Sequence, residues 1–191
     1  MLAMQSLRIT FALLAVVLIL RDAEGCPDII RRSQWGATPP SSVTAMRSPV
    51  EYVIIHHTVT STCSSLATCS RILRTIQTDH KGRRYDDIGY TFLVSSDGKV
   101  YEGRGWDKVG AHAPSYNDRS IGISFIGNFQ TERPTQQQQN AAKSLISCAV
   151  SLGKIGANYK LLGHRQTKAT ECPGITLFNI IKTWPRWQSS P

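Results

Sequence analysis

Tyr52-Val-Ile-Ile-His-His-Thr58 is a short β-branched apolar run that ends in two histidines and a threonine. Its length and its Val and Ile content read as a buried strand, Tyr52 to His57. Neighbouring side chains on a strand face opposite ways, so only one of His56 and His57 can enter a given site. The matching chemistry lies far downstream in Gly163-His-Arg-Gln-Thr-Lys-Ala-Thr-Glu-Cys-Pro-Gly174, a polar loop closed by Pro173 and Gly174. It places an imidazole and a thiol, His164 and Cys172, eight positions apart. Zinc takes nitrogen and sulfur ligands, and a catalytic zinc keeps three protein ligands and leaves the fourth position to water. His164, Cys172 and one residue of the His56-His57 pair form a candidate ligand set.

Strands alternate with helices on either side of the first stretch. Leu66, Cys69, Ile72, Leu73 and Ile76 fall at helical spacing, which predicts a helix over Ser64 to Thr78. Tyr90 to Ser95 and Lys99 to Gly103 flank Asp97-Gly98, a pair that favours the tight turn of a β-hairpin. Ser120 to Gly127 reads as another strand. Thr135 and Gln138 have the spacing of a capping box, and Ala142, Leu145, Ile146, Ala149 and Leu152 continue as an apolar helical stripe that stops at Gly153. Tyr159 to Leu162 reads as a short last strand leading into His164. Leu177, Ile180, Ile181 and Trp184 mark a closing helix that ends before Pro185. The expected fold is α/β, a mixed central sheet flanked by helices, with both site segments at strand ends where loops gather.

Arg8 precedes the apolar run Ile9 to Leu20, and small residues follow at Ala23 and Gly25, the pattern of a secretory signal over 1–25. The run has twelve residues, whereas a membrane-spanning helix needs about 20, so no membrane anchor is expected. Cys26 after Gly25 invites a bacterial lipoprotein reading, but Ala23 stands where that signal takes leucine. Residues 26–191 have the length of one domain, and no repeat or long linker divides them. Its two basic and two acidic residues make the signal segment neutral, so the net charge of +9 belongs to 26–191. A basic secreted domain is drawn to polyanions. Nucleic acid is not the expected partner, because export sends the protein away from it and the basic residues are dispersed.

The five cysteines all lie in 26–191, an odd number in an oxidising compartment. Cys63 and Cys69 bracket a short loop and can close a small ring, and Cys26 with Cys148 makes a second bridge that ties down the N-terminus. Four cysteines pair in three ways, and the sequence leaves the choice open. This pairing leaves Cys172 beside His164, where a metal-bound thiolate accounts for the odd thiol.

Taken together, Ile29-Ile-Arg-Arg-Ser-Gln-Trp-Gly36, Ile54-Ile-His-His-Thr58, Asp87-Ile-Gly-Tyr-Thr-Phe92, Gly105-Trp106, Gly110-Ala-His112, Ser120-Ile-Gly-Ile-Ser-Phe-Ile-Gly127, Gly163-His164 and Cys172-Pro-Gly174 resemble the short secreted peptidoglycan recognition proteins. The resemblance runs in order through nearly all of 26–191. That family is itself similar to phage-type zinc amidases, and its catalytic members hydrolyse the amide between N-acetylmuramic acid and the first L-alanine of the stem peptide. The resemblance implies zinc as cofactor, with His56, His164 and Cys172 as ligands, Tyr90 as the catalytic tyrosine, and Thr170 at a position held by threonine or lysine in active relatives. It implies substrate contacts from Thr58, His80, Arg84, Tyr85, His112 and Asn117, bacterial peptidoglycan or its muropeptides as partner, and a monomer. The pair that distinguishes diaminopimelate from lysine in relatives is here Arg84-Tyr85, which matches neither common version and so assigns no stem preference.

Two function classes remain. One is a zinc amidase that degrades peptidoglycan in innate immunity, and the other is a non-catalytic recognition or bactericidal protein. Many relatives that only bind carry serine at the cysteine position, so Cys172 favours the enzyme. A disulfide-stapled binding domain without metal needs a partner for the fifth cysteine.

Overall fold

Residues 26–191 are described by a computed structural model, so the expected signal segment lies outside the described residues. The central strand expected at Tyr52 runs over Val50–His57 and is buried at every position but Glu51. Strands lying inside a sheet covered on both faces read as continuous apolar runs, which is why Val53, Ile54 and Ile55 are all shielded from water. In chain order the elements are β1 (Ile29–Ile30), α1 (Arg32–Trp35), β2 (Val50–His57), α2 (Leu66–Gly82), β3 (Phe92–Val94), β4 (Val100–Glu102), β5 (Ser120–Phe125), α3 (Gln136–Ser151), β6 (Ile155–Gly163) and α4 (Ile175–Ile181), with a single 3-10 turn at His164–Gln166. They build one six-stranded sheet in the order β1-β4-β3-β5-β2-β6. Only the hairpin β3-β4 is antiparallel; the other pairings are parallel. The mixed sheet flanked by helices is the architecture the alternating pattern predicts.

The main core lies between the sheet and the helices α3 and α4, where Phe125, Phe129, Leu145, Ile146, Leu177 and Trp184 pack together. A second cluster, built on Trp35, Leu73, Ile76 and Leu93, fills the face covered by α1 and α2. Burying a side chain of this size contributes roughly 1.5–3 kcal/mol, so the two clusters hold the layers together without help from the surface charges. Both disulfides join the pairs expected, Cys26 to Cys148 and Cys63 to Cys69, and Cys172 is free.

Three local expectations are corrected. Thr135 caps α3 by accepting from the backbone N–H of Gln138, but the Gln138 side chain does not return the bond. Its amide instead donates to the carbonyls of Val94 and Ile126, closing the ends of β3 and β5 from inside the core. Leu152 lies past the last turn of α3 and is 52% exposed, so the apolar stripe ends at Ala149. The last strand begins at Ile155 rather than Tyr159, because backbone pairing of Val50 with Ile155 extends it through residues without strand character.

Asp87 ties this scaffold to the loop that carries Tyr90. Its buried carboxylate accepts from the Gln77 amide at 2.6 Å and the Ile88 N–H at 2.8 Å, and pairs with the Arg32 guanidinium at 2.9 Å. One acceptor thereby joins α1, α2 and the segment before β3. Asp87→Ala leaves those donors unpaired, and the expected loss is about 2 kcal/mol in urea unfolding. An unchanged midpoint would show that the three donors find other partners.

Candidate metal centre

Parallel pairing assembles the site. Ile55 of β2 lies opposite Gly163 of β6, so His56 and His164 leave the sheet side by side at the carboxyl ends of adjacent strands, the edge where α/β sheets gather ligands. Alternation then separates the two histidines. His56 is 1% exposed with its ring 4.4 Å from that of His164, whereas Nδ1 of His57 accepts from the Phe129 N–H in the opposite layer. His56 joins the donor cluster, and His57 borders the same groove while its ring turns to the Phe129 N–H.

Cys172 is brought in by its loop. The Arg165 N–H donates to the Cys172 carbonyl at 2.8 Å, and the Arg165 guanidinium donates to the Glu171 carbonyl. Its sulfur then accepts from the His57 N–H at 3.4 Å and stands 3.7 Å from Nδ1 of His56. One ligand atom from each of His56, His164 and Cys172 falls within a 4.8 Å set. A tetrahedral zinc with ordinary bond lengths spaces its nitrogen and sulfur donors about 3.4–3.6 Å apart, and the 3.7 Å between His56 Nδ1 and the Cys172 sulfur is of that size.

The electrostatics fit the same use. Burial, followed by the neighbouring His112 and His164, holds the His56 pKa well below its ordinary value. His164 is lowered to about 4, first by burial and then by Lys168 and His57, and its Nε2 is buried with no hydrogen-bond partner. Neutral imidazoles keep a lone pair for a metal. Burial pushes the Cys172 thiol up to about 12, against the weaker pull of the His57 N–H and Arg165. A buried thiolate therefore needs a cation beside it, and this donor set is one that zinc satisfies.

The three side chains open into a groove of about 510 Å³. Thr58, His80, Tyr85, Tyr90, His112 and Thr170 line it with them. His80 accepts from the Gly89 N–H through Nδ1, and its ring lies 5.3 Å from Tyr85 and 5.6 Å from Tyr90, which makes an aromatic wall. The Thr58 hydroxyl accepts from the Gly127 N–H and pairs with Thr60, so it is held in place. Thr170 accepts from the Cys172 N–H at 3.3 Å. Asn117 stands in an adjoining pocket of about 260 Å³ with Tyr85, His112 and Lys168, where its carbonyl oxygen accepts from the N–H groups of His112 and Ala113. Arg84 lines neither cavity and sits in a left-handed turn at φ 66°, whereas its neighbour Arg83 lines the groove.

Sequence reasoning missed Thr75, Ile76 and Asp79 on the face of α2 that borders the groove, and Arg83 just past its end. Counting back and forward from His80 at helical spacing reaches Ile76 and Arg83 and supplies the signal. Val59 was also missed. It follows the histidine strand with φ 57° and a side chain 61% exposed at the groove, a strained conformation that a β-branched residue rarely adopts. Nothing in the sequence pattern announces it.

Comparison with known proteins places this geometry among relatives. The sequence profile of the amidase-2 family, described as N-acetylmuramoyl-L-alanine amidase, matches residues 46–175. The chain is 50% identical over 164 residues to a peptidoglycan-recognition protein of Drosophila simulans, covering 85% of this chain and 90% of that protein. Its fold superposes on wild-type PGRP-LB of Drosophila with a TM-score of 0.83 at 46% identity, covering 85% of this chain and 96% of the other. It superposes with a TM-score of 0.82 at 43% identity on peptidoglycan recognition protein LE, solved in complex with tracheal cytotoxin, a monomeric diaminopimelic acid-type peptidoglycan. That match covers 84% of this chain and 95% of the other.

Proposed function

Because the chain belongs to the peptidoglycan-recognition proteins of amidase-2 type, we propose that it binds muropeptides of bacterial peptidoglycan in the groove and cleaves their lactyl amide as a zinc-dependent N-acetylmuramoyl-L-alanine amidase. The observation that carries the catalytic half is Cys172 itself: its sulfur stands 3.7 Å from His56 Nδ1 and completes a three-donor set with His164. A bound zinc supplies Lewis-acid polarisation of the amide carbonyl and a water acidic enough to act at neutral pH.

The chain's own residues do the rest. His56, His164 and Cys172 would hold the ion at the wall of the groove. Tyr90 donates its hydroxyl hydrogen to the carbonyl oxygen as negative charge develops there. Thr170 keeps the Cys172 loop in register through the Cys172 N–H. His80, Tyr85 and Thr58 bind and orient the stem peptide, with Asn117 holding the adjoining wall and Arg84 approaching longer stems from outside the groove. Residues 1–25 act as an export signal, and 26–191 form one secreted recognition and amidase domain in innate immunity.

The non-catalytic reading keeps the groove and drops the metal. Metal analysis of purified 26–191, together with stem-peptide release from purified peptidoglycan, separates the two. One zinc per chain and release of stem peptides beginning with L-alanine are expected. Protein that binds muropeptide but holds no zinc after incubation with it would leave recognition alone.

A further inference from the structure

His112 stands in the groove wall, yet only 6% of it is exposed. Its Nδ1 lies 3.0 Å from Nε2 of His56, with the two rings edge to face at 86°. Two glycines make room for the ring. A Cβ at Gly110 would come within 2.5 Å of its Cδ2, and a Cβ at Gly122 within 2.6 Å of Cδ2 and Cγ. The imidazole is therefore clamped in one plane, and side chains at either position are excluded.

Hydrogen-bond direction through this contact follows from its far end. Ser120 has one hydroxyl hydrogen, and it goes to the Tyr116 carbonyl at 2.6 Å. The Ser120 oxygen thus turns a lone pair toward Nε2 of His112, 3.5 Å away. A neutral imidazole carries one ring proton, and here it sits on Nε2, which leaves Nδ1 of His112 as an acceptor. The donor across the 3.0 Å contact is then the Nε2–H of His56. Nδ1 of His56, the atom beside the Cys172 sulfur, keeps its lone pair.

We propose that His112 is a positioning residue, which takes the Nε2–H of His56 and so fixes the tautomer and ring plane that present His56 Nδ1 to the metal. The proposal rests on the zinc reading above. An outer-shell partner of this kind commonly changes metal affinity by about 10- to 100-fold. It also explains why Gly110 and His112 belong to one short motif although neither reaches a ligand in sequence.

His112→Phe fills the same cradle and removes both nitrogens. By competition with a chelator, its zinc affinity is expected to fall about 10- to 100-fold, and the muropeptide affinity of the metal-free protein, measured alongside, reads separately any contact of His112 with the stem peptide. His112→Asn returns an acceptor oxygen near the position of Nδ1 and is expected to recover part of the zinc affinity. Nitrogen-15 NMR of the zinc-loaded wild type needs no variant and is expected to show His56 protonated at Nε2. Wild-type zinc affinity in His112→Phe, or a His56 proton on Nδ1, overturns the proposal and leaves the zinc reading intact. Loss of muropeptide binding in metal-free His112→Phe with zinc affinity unchanged would make His112 a substrate contact. A wild-type protein that takes up no zinc removes the amidase reading itself.

Discussion

Cys172→Ser is expected to lose its zinc and all measurable amidase turnover while continuing to bind muropeptide. A serine hydroxyl is far less acidic than a thiol, and a thiol already pushed up to about 12 by burial ionises here only beside a cation. The hydroxyl would stay neutral, and His56 and His164 would be left as a two-donor site. Folding should survive, because Cys172 is in neither disulfide and the backbone bond from the Arg165 N–H holds its loop. The groove wall of His80, Tyr85 and Thr58 does not depend on the sulfur. Metal content, stem-peptide release and calorimetric titration with a muropeptide, made on one preparation, give the three readings. Retained zinc with near wild-type turnover would remove the thiolate from the site. A folded variant that binds no muropeptide would show that groove and metal centre are one unit.

Elements with a strong period were legible in the sequence, and those held by pairing alone were not. The apolar faces of α2 and α3 marked those helices, and the Asp97-Gly98 turn pair marked the β3-β4 hairpin. The sequence shows only the last few residues of β6, because Gly156, Ala157 and Asn158 have poor strand character and fall in the irregular stretch between the Val50–Ile155 and Tyr52–Lys160 pairings. The two-residue strand β1 and the single-turn α1 are too short for any period to show. Within the site, the donor cluster of His56, His164 and Cys172 was legible because histidine and cysteine are scarce and strand alternation turns the two members of the His56-His57 pair opposite ways. The bond from His56 to His112 was not, since it joins segments 56 positions apart and depends on the parallel pairing of β2 with β5. Gln138 failed for a related reason. Its local spacing fits a cap, but the carbonyls of Val94 and Ile126 take its amide once the core forms.

Tyr90→Phe separates a group that acts on the reaction from one that packs. Tyr90 lies at the end of the loop anchored by Asp87, and its carbonyl accepts from the Arg104 N–H at 2.9 Å, so its backbone is set independently of its hydroxyl. Its ring is half-buried, lies 5.3 Å from the His56 ring, and packs against the cluster under α1 and α2. Phenylalanine keeps all of that, and stability is expected within about 1 kcal/mol of wild type. The hydroxyl is the only loss. Burial above all raises its pKa above the ordinary tyrosine value, so it keeps its proton and remains a donor through the neutral range. A donor aimed at an oxygen that gains charge during reaction acts mainly on the transition state. Removing one such donor lowers kcat by about 10²- to 10³-fold, or roughly 3–4 kcal/mol of transition-state stabilisation. KM and muropeptide affinity should change little, since the same bond to an uncharged carbonyl is weak in the ground state. The kinetics are to be measured on samples matched for zinc content and melting temperature, so that metal loss is not read as chemistry. If KM rises and kcat holds, the hydroxyl binds substrate; if neither moves, the ring only packs, and the metal alone must polarise the carbonyl.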